Sequence, residues 1–376
     1  MHIVYLTSHY PLPNAKSVGG IGTSVRNLAV ALAQKHAVTV VVYGQEHDAV
    51  IKDEGVEVRL LSVKCISGFT WLLTRLRIRK LLKSLPKIDI IEAPDWDGIT
   101  AFVPLPAPVV VKIHGSDTYF CHLEGRKVKK WNFIREKLAL KSAAGIVSVS
   151  TFAGRTTAEL FGLKKPVTTI FNGVDYAVFS ESSKEIVDNS ILYVGGLIRK
   201  KGLVELASIF NLVVENQPNA KLTLIGKDMA DSETGNPSTL GIFFDRLSEL
   251  ARKNVIYLGV VPHQQIKSHF EKSAVCVFPS FAEALPVSWL EALAVGKALV
   301  TSNIGWSNEI IDDGVDGFSV DPKDHQLFAE RICILLNDKI LRLKFERQGQ
   351  QKAQKLFAVT EIATRTEAYY QTISRN

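Results

Sequence analysis

The chain has 376 residues, of which 46% are hydrophobic and 22% are charged, and its formal net charge is +7. This length exceeds one ordinary hydrophobic core and suits two domains of normal globular composition. No apolar run is long enough to cross a bilayer, and the N-terminal residues MHIVYLTSHYP lack the basic start of a signal peptide. These first residues are instead typical of a β-strand.

The four cysteines, Cys65, Cys121, Cys276 and Cys333, form no CxxC pair. Their spacing therefore indicates no metal site, and Cys276 and Cys333 lie in apolar runs that are typical of a core. Cysteine usage of this kind favours a reducing compartment, so we expect a cytoplasmic protein.

The positive charge is carried by the first half of the chain. Residues 1–180 hold 23 lysines and arginines against 14 acidic residues, whereas residues 181–376 hold 22 against 24. The excess suits an anionic partner such as a membrane surface, a lipid phosphate or an acidic glycan, and a solvated basic face is the alternative. We expect no nucleic-acid partner.

A helix predicted over 71–84, WLLTRLRIRKLLKS, mixes apolar residues with five lysines and arginines. Such a helix could rest on an anionic bilayer, which would place the protein peripherally at the inner face of the membrane. The alternative is a helix packed on the core with a basic outer face.

Short β-branched runs alternate with amphipathic stretches along the whole chain, which predicts parallel sheets covered by helices on both faces. A polar stretch at 180–190 separates two such series, so we predict two α/β domains over 1–180 and 187–355. The chain is largely helical from about Asp324. Helices are predicted over 21–34, 71–84, 127–142, 151–161, 202–215, 240–252 and 287–295.

Three glycines, Gly19, Gly20 and Gly22, precede the first predicted helix. Exposed amides at a helix N-terminus suit a phosphate or diphosphate. A dinucleotide fingerprint fits badly, because Val25 stands at its third glycine position and a long loop follows the strand. A simple helix-capping loop is the remaining alternative.

Polar residues follow two strands of the first half, where ligands of parallel sheets bind. His114 ends the strand VVVKI and is followed by Asp117, which is a weaker candidate. Asp95, Trp96 and Asp97 follow the strand that contains Glu92. The Asp-x-Asp pair could mark a metal, but a solvated loop or an acceptor site (Glu92, Asp95 or Trp96) is favoured.

In the second half, the strand ILYV ends in Gly195 and Gly196 and leads into Arg199, Lys200 and Lys201. Cations beside a helix N-terminus are unfavourable unless an anion lies there, so this turn predicts a diphosphate site. A basic surface turn is the alternative.

Two glutamates, Glu283 and Glu291, lie eight residues apart in EALPVSWLE. Glu283 follows a strand, and Glu291 lies in a helix that starts near Pro286. These carboxylates could hold sugar and ribose hydroxyls beside the loop amides of Ala284 and Leu285. A general acid–base pair of a hydrolase is the alternative.

The motifs VGGIG, HGSD, FNGVD, VGGLIRKKG, EALPVSWLE and GWSNEIIDDGVDGF occur in this order over nearly the whole chain. In this respect the chain resembles the retaining glycosyltransferase family four. The resemblance implies the GT-B architecture, in which two Rossmann-like domains face each other across a cleft. It also implies a UDP- or GDP-linked sugar donor, no metal and no cofactor, and a last helix at about 360–374 that packs back on the first domain.

By this resemblance Glu283 binds the transferred sugar, Glu291 binds the ribose and Lys201 neutralises the departing diphosphate. His114 would then lie beside the reacting sugar, and Glu309 would support the sugar site. The predicted donor-binding residues are Gly20, Gly22, Asn172, Gly196, Arg199, Lys201, Ala284, Leu285, Pro286, Glu291 and Glu309; the catalytic ones are His114, Lys201 and Glu283; the acceptor-binding ones are Asp95, Trp96 and Asp117.

One position departs from the family pattern, because Gly196 stands where the family usually has a diphosphate-binding arginine. Arg199 or Lys200 could substitute for it, or Lys201 could act alone. The function that we predict is a retaining, metal-independent hexosyltransferase in polysaccharide biosynthesis, with a glycan, a lipid-linked or a small-molecule acceptor. An epimerase of the same fold, a non-catalytic binding module and a dehydrogenase are the competing hypotheses.

Overall fold

The structure is a computed structural model that describes residues 1–12, 19–63, 69–180 and 185–375. Cys65, the first two residues of the stretch SVGGIG, and residues 181–184 of the polar stretch at 180–190 lie outside the described residues. By its contacts the chain divides into two units, one of Met1–Gly173 with Val359–Asn376 and one of Val174–Ala358.

The first unit alternates strands and helices as the hydrophobic pattern predicts. Its strands are β1 (His2–Thr7), β2 (Ala37–Gln45), β3 (Ala49–Asp53), β4 (Val56–Ser62), β5 (Ile90–Pro94), β6 (Val109–Ile113), β7 (Gly145–Ser148) and β8 (Thr168–Thr169). Its helices in this part of the chain are α1 (Gly20–Ala33), α2 (Thr70–Ser84), α3 (Asp117–Leu123), α4 (Lys130–Ser142) and α5 (Thr151–Phe161).

The eight strands form one sheet in the order β3-β4-β2-β1-β5-β6-β7-β8. Every neighbouring pair is parallel except β3 and β4. The central strands are buried throughout, as both-face coverage requires, whereas edge strand β3 has a half-exposed pattern. Strand β3 was not predicted, since its five residues, AVIKD, include two charged ones and none is fully buried.

The second unit has the same construction. Its strands are β9 (Ser190–Val194), β10 (Lys221–Ile225), β11 (Val255–Tyr257), β12 (Val275–Phe278), β13 (Ala298–Ser302) and β14 (Phe318–Val320). Its helices are α6 (Tyr176–Ser180), α7 (Leu203–Asn216), α8 (Thr239–Asp245), α9 (Glu249–Lys253), α10 (His263–Lys272), α11 (Val287–Val295), α12 (His325–Asn337) and α13 (Lys339–Lys352). Two 3-10 turns, Arg199–Lys201 and Ser307–Glu309, and a π-helical turn, Ala353–Phe357, complete it.

All neighbouring strands of the second sheet are parallel, in the order β11-β10-β9-β12-β13-β14. The predicted fold class, two Rossmann-like α/β domains with parallel sheets, is therefore confirmed. Short helix α6 packs on α11, and residues 174–180 consequently belong to the second unit by their contacts. The sequence boundary at residue 180 placed them in the first.

Most predicted helices agree with the structure to within a few residues, and α5 and α11 coincide with their predicted ranges. The helix predicted over 240–252 is instead divided into α8 and α9. The break has a local cause, because the Ser248 hydroxyl accepts a hydrogen bond from the Ala251 N–H and so caps a new helix.

The final helix, α14 (Val359–Ser374), belongs to the first unit. Its buried residues Ile362 and Tyr370 join the same core as Ile3 and Tyr5. The Tyr370 hydroxyl lies 2.5 Å from the buried carboxylate of Glu92, to which it donates, and 3.1 Å from the Tyr5 hydroxyl. Helix α14 thus contributes both apolar and polar contacts to the centre of the first sheet.

Among the described residues, no helix is both long enough and apolar enough to span a membrane.

Candidate active site

The loops after β9 and β12 touch through their backbones. Gly202 has φ of 73°, and a Cβ atom there would lie 1.8 Å from the carbonyl oxygen of Pro279. The carbonyl oxygen of Lys200 accepts hydrogen bonds from the N–H groups of Phe281 (2.8 Å) and Ala282 (3.2 Å). Only glycine permits this approach, which places the end of one loop against the start of the other.

This contact brings Lys201 and Glu283 together. The Lys201 ammonium lies 2.8 Å from Oε1 of Glu283, and the Ser280 hydroxyl lies 3.4 Å from the same oxygen. A side chain at Gly195 would lie within 3.7 Å of the ammonium, so glycine leaves the space beside Lys201 open. Two predicted catalytic residues therefore share one corner at the carboxyl edge of the sheet.

The residues after Glu283 lead directly into α11. Ala284 and Leu285 are buried, and Pro286 is the N-cap residue with φ of −70°. Proline has no polar side chain to cap the first N–H groups of the helix, and the amides at such an end carry partial positive charge. This helix start lies in the same loop as Glu283 and can attract an anion.

Glu291 lies in α11 and is buried, with its Oε1 atom 2.7 Å from Nε2 of His263. His263 is the first residue of α10, and its ring centroid lies 6.0 Å from that of Phe179. His263 was not predicted, because it stands in no motif of the sequence. Its position after β11, at the carboxyl edge of the sheet, is the signal that could have indicated it.

Arg199 is paired within the protein. Its guanidinium donates to both carboxylate oxygens of Asp231, at 2.6 and 2.9 Å, and lies 3.1 Å from Glu233. The Asp231 side chain is fully buried, and its hydrogen bonds from Arg199 hold its pKa well below the ordinary range. This geometry argues against the predicted donor contact of Arg199, which instead anchors the loop after β10. Lys201 is the cation that lies beside Glu283.

The other predicted donor residues of this unit lie at the same edge. Gly196 follows β9 with open space where a side chain would project. Glu309 is half-exposed and ends the 3-10 turn after β13, the strand that neighbours β12. Its support of the sugar site stays a prediction.

In the first unit, His114 follows β6 and is buried. Burial, together with nearby Lys112, holds its pKa well below the ordinary histidine value, so its imidazole is neutral. His114 lines a small pocket with Tyr5, Glu92 and Ile21. This pocket lies at the carboxyl ends of β1, β5 and β6, beside the start of α1.

The glycines of the first motif lie in α1 itself. Gly20 and Gly22 are in its first turn, after the N-cap residue Gly19. On the same helix the Ser24 hydroxyl donates a 2.7 Å hydrogen bond to Oδ1 of buried Asn172. The first unit thus holds Asn172 against α1, the helix that also lines the pocket of His114.

The predicted acceptor residues have mainly structural environments. Asp95 is fully buried and accepts the N–H of His114 at 2.9 Å, and burial raises its pKa to about 7. It therefore supports the backbone of His114 and cannot contact an acceptor in this conformation. Trp96 is half-buried, with its ring centroid 4.7 Å from that of His9, and Asp117 accepts a 2.9 Å hydrogen bond from Asn132.

Asp97 and Glu92 also have partners within the fold. Asp97 accepts a 2.5 Å hydrogen bond from the Tyr43 hydroxyl, and Glu92 accepts from Tyr370. Within the described ranges, no group of three His, Cys, Asp or Glu side chains could hold a metal ion.

Comparison with known proteins agrees with this geometry. The model described as Glycosyltransferase Family 4 matches residues 18–178, and that described as Glycosyl transferases group 1 matches residues 179–352. An uncharacterized glycosyltransferase of Methanocaldococcus jannaschii is 26% identical, with 98% of each chain covered. A Campylobacter jejuni N-acetyl-D-galactosaminyltransferase, whose name includes a glycan on PP-undecaprenol, is 24% identical, with 92% of each chain covered.

Two solved structures share the fold. Sucrose-phosphate synthase from Thermosynechococcus elongatus has a TM-score of 0.81 at 18% identity, with 99% of each chain covered. Anabaena HepE in complex with UDP-glucose has a TM-score of 0.77 at 16% identity, with 99% of this chain and 100% of that chain covered.

The two parallel-sheet units therefore define a glycosyltransferase of the GT-B class. Because the two family models together match residues 18–352, the chain belongs to glycosyltransferase family 4, as the resemblance implied.

The Arg199–Asp231 pair makes a prediction about stability. Arg199→Ala would leave the buried Asp231 carboxylate with only its hydrogen bonds from Thr234. We expect the free energy of unfolding to fall by about 1.5–3 kcal/mol, the usual contribution of hydrogen bonds to a charged group. Because the pKa of Asp231 is lowered in the folded state, this stabilisation is present above the ordinary aspartate pKa of about 3.9 and is lost as pH falls through the lowered value.

Urea denaturation at pH 7 and pH 5 should accordingly show the same loss for Arg199→Ala. The matched control is Arg365→Ala, which breaks an exposed pair with Glu361 on α14 and should cost about 0.3–0.5 kcal/mol. If Arg199→Ala keeps wild-type stability but loses much of its nucleotide affinity, the anchoring role of Arg199 is contradicted and its predicted donor contact is supported.

Proposed function

We propose that the protein is a retaining glycosyltransferase that moves a hexose from a UDP- or GDP-linked donor to a glycan, lipid-linked or small-molecule acceptor. The observation that carries this proposal is the contact between Lys201 and Glu283 beside Gly195, which has no side chain to cover the ammonium. A cation, a carboxylate and the start of α11 in one corner suit a diphosphate attached to a sugar.

Named relatives support the same substrate classes. HepE was solved with UDP-glucose, and the Campylobacter jejuni relative is named for a glycan carried on PP-undecaprenol. We infer from these names a nucleotide-sugar donor for this chain and an acceptor used in polysaccharide biosynthesis.

In the proposed site, Glu283 accepts hydrogen bonds from hydroxyls of the transferred sugar, and Lys201 lies over the diphosphate. Charge develops on the phosphate oxygen as its bond to the anomeric carbon breaks, so the ammonium stabilises the transition state. Because this positive charge comes from a side chain, the reaction needs no metal and no cofactor.

Retention of configuration requires the acceptor oxygen to approach the face from which the diphosphate leaves. We propose that the acceptor hydroxyl forms its bond to the anomeric carbon while its proton passes to the departing phosphate oxygen. In this route Glu283 serves as a hydrogen-bond acceptor paired with Lys201 and forms no covalent intermediate.

The first unit would present the acceptor side. His114 is neutral in the folded protein, so its imidazole can donate a hydrogen bond to a sugar hydroxyl without a full charge. The amides in the first turn of α1, at Gly20 and Gly22, would assist the diphosphate. We place this reaction in the cytoplasm, which agrees with three described cysteines that are all free thiols.

The reaction is tested by incubating the protein with UDP- and GDP-linked hexoses, with and without glycan and lipid-linked acceptors, and measuring free nucleoside diphosphate. Release that requires an acceptor, together with an α-linked product from an α-linked donor, is expected. A change in the donor sugar without release of nucleotide would show an epimerase and overturn the proposal.

Lys201→Ala should lower kcat/KM at least about 100-fold, since removal of one charge-stabilising group has that typical effect. The matched control is Lys221→Ala, an exposed lysine at the opposite end of neighbouring strand β10, which should keep normal turnover. Near-normal turnover of Lys201→Ala in the nucleotide-release assay would remove the assignment of Lys201.

The hydrogen bond between His263 and Glu291 makes a separate prediction about nucleotide affinity. If Glu291 holds the ribose and His263 orients it, Glu291→Ala and His263→Ala should each weaken binding of free UDP or GDP about tenfold or more. His263→Gln keeps an amide donor and should largely retain affinity, while kcat at saturating donor stays near normal.

Gln264→Ala provides the control, because it alters an exposed residue in the same turn of α10. Isothermal titration with UDP and GDP reports the affinities. If Glu291→Ala loses nucleotide affinity and His263→Ala does not, the positioning role of His263 is rejected and the ribose assignment of Glu291 stands. Wild-type affinity in both would reject the ribose assignment of Glu291.

A further inference from the structure

Helix α4 exposes three large apolar side chains. Trp131, Ile134 and Leu138 follow one another at helical spacing and are 45%, 42% and 39% exposed. The buried residues of the helix include a charged one, Glu136, which accepts a hydrogen bond from the Thr118 hydroxyl. Helix α4 buries Ala139 and Leu140 as well, so the three exposed residues form a second apolar stripe, on the face where ordinary amphipathic packing places polar residues.

Two further aromatic residues extend this stripe. The ring of Phe102 stacks on Trp131 with centroids 5.5 Å apart, and Trp71 packs edge-on against both rings at 5.6 Å. Phe102 is 48% exposed and has φ of 68°, a conformation that bulky residues rarely adopt. The backbone therefore holds an aromatic side chain at the surface against its own conformational preference.

Arg75 fixes the support of these rings. Its buried guanidinium donates to the carbonyl oxygens of Trp71, Gly98 and Ala101, and it lies over the Trp71 ring. Arg75 is thus internal, and Arg77 is paired with Asp48. Lys80 and Lys83 remain exposed on α2, so contact of this helix with a membrane stays a prediction.

The surroundings of the stripe are strongly basic. Residues 124–141 contain seven lysines and arginines against two glutamates. Glu136 is buried, and Glu124 offsets only Arg126, with which it is paired. Lys127, Lys129 and Lys130 are exposed immediately before Trp131.

We infer that this surface docks on an anionic lipid bilayer. This aromatic–basic patch consists of Trp71, Phe102, Trp131, Ile134 and Leu138 together with Lys127, Lys129 and Lys130. Tryptophan and phenylalanine with aliphatic neighbours suit the boundary of headgroups and acyl chains, and the lysines suit acidic headgroups. A soluble glycan is less suited, since exposed isoleucine and leucine offer sugars no stacking face.

The patch lies in the first unit, where Phe102 follows β5, helix α4 follows β6, and Trp71 lies in α2, before β5. The pocket of His114 is built from the carboxyl ends of the same two strands. Docking through the patch would hold that end of the sheet near the bilayer, where a lipid-linked acceptor is found. The inference concerns binding to lipid and does not depend on the proposed reaction.

The test is sedimentation of the whole protein with vesicles of phosphatidylcholine alone and of phosphatidylcholine with about 30% phosphatidylglycerol, without nucleotide or acceptor. Wild type should bind the anionic vesicles at a lipid concentration at least about tenfold lower, and high salt should reduce this preference. Equal binding to both vesicles, or none to either, would overturn the inference.

Three variants locate the surface. Trp131→Ser with Ile134→Ser should remove binding to both vesicle types, and Lys127→Glu with Lys129→Glu and Lys130→Glu should remove the anionic preference. Phe102→Gly relieves the backbone conformation and should fold at least as well while binding anionic vesicles several-fold less tightly. The matched control is Ile340→Ser with Leu343→Ser, which alters the exposed apolar residues of α13 in the second unit.

All variants should keep wild-type affinity for UDP or GDP, which shows that the donor site is intact. Patch variants that sediment like wild type would contradict the assignment. A second outcome would also contradict the inference: the wild-type protein does not bind vesicles but binds the soluble acidic polysaccharide alginate, and Trp131→Ser loses this binding. That outcome would identify a glycan-binding surface.

Discussion

Gly202 allows the backbone of the turn after β9 to lie against the carbonyl of Pro279, in the loop after β12. Two N–H groups of that loop then donate to the carbonyl oxygen of Lys200, and the side chains of Lys201 and Glu283 come into contact. Any residue with a Cβ atom would force the two loops apart, because the clash is with backbone. The corner in which a sugar diphosphate would lie therefore depends on the left-handed conformation of one glycine.

Buried carboxylates need partners within the protein, and this need determines which of the remaining ionisable residues stay available to a ligand. Asp231 is fully buried and binds the guanidinium of Arg199, and Glu291 is buried and hydrogen-bonded to the ring of His263. A cation with such a partner is no longer available to a ligand in the same way as an exposed one. Lys201 differs, because its partner Glu283 is itself a predicted substrate ligand and Gly195 leaves space beside it. The missing arginine at Gly196 is therefore not simply replaced by its neighbour Arg199.

In the first unit, buried polar contacts likewise hold the loops at the carboxyl ends of the strands. Asp95 holds the backbone of His114, Tyr370 of α14 holds Glu92, and Arg75 holds the loop that carries Phe102. These contacts make the carboxyl ends of β5 and β6 rigid supports for two different surfaces. One is the small pocket of His114, and the other is the aromatic–basic patch, whose apolar residues cannot be explained by packing within the described chain.

The sequence by itself determined the fold class and the family, and it singled out Lys201 and Glu283, which the structure brings together. Hydrophobic periodicity reports which faces are buried, and Lys201, Glu283 and Glu291 stand in motifs of recognisable spacing after strands. Periodicity cannot show which side of a helix meets the core when both sides are mixed, so the outward stripe of α4 was not predicted. Pairings between residues far apart in the chain were equally hidden. Only the tertiary structure decided that Arg199 belongs to Asp231, that His263 meets Glu291 and that Asp95 is internal, because each depends on distances between loops that no local pattern encodes.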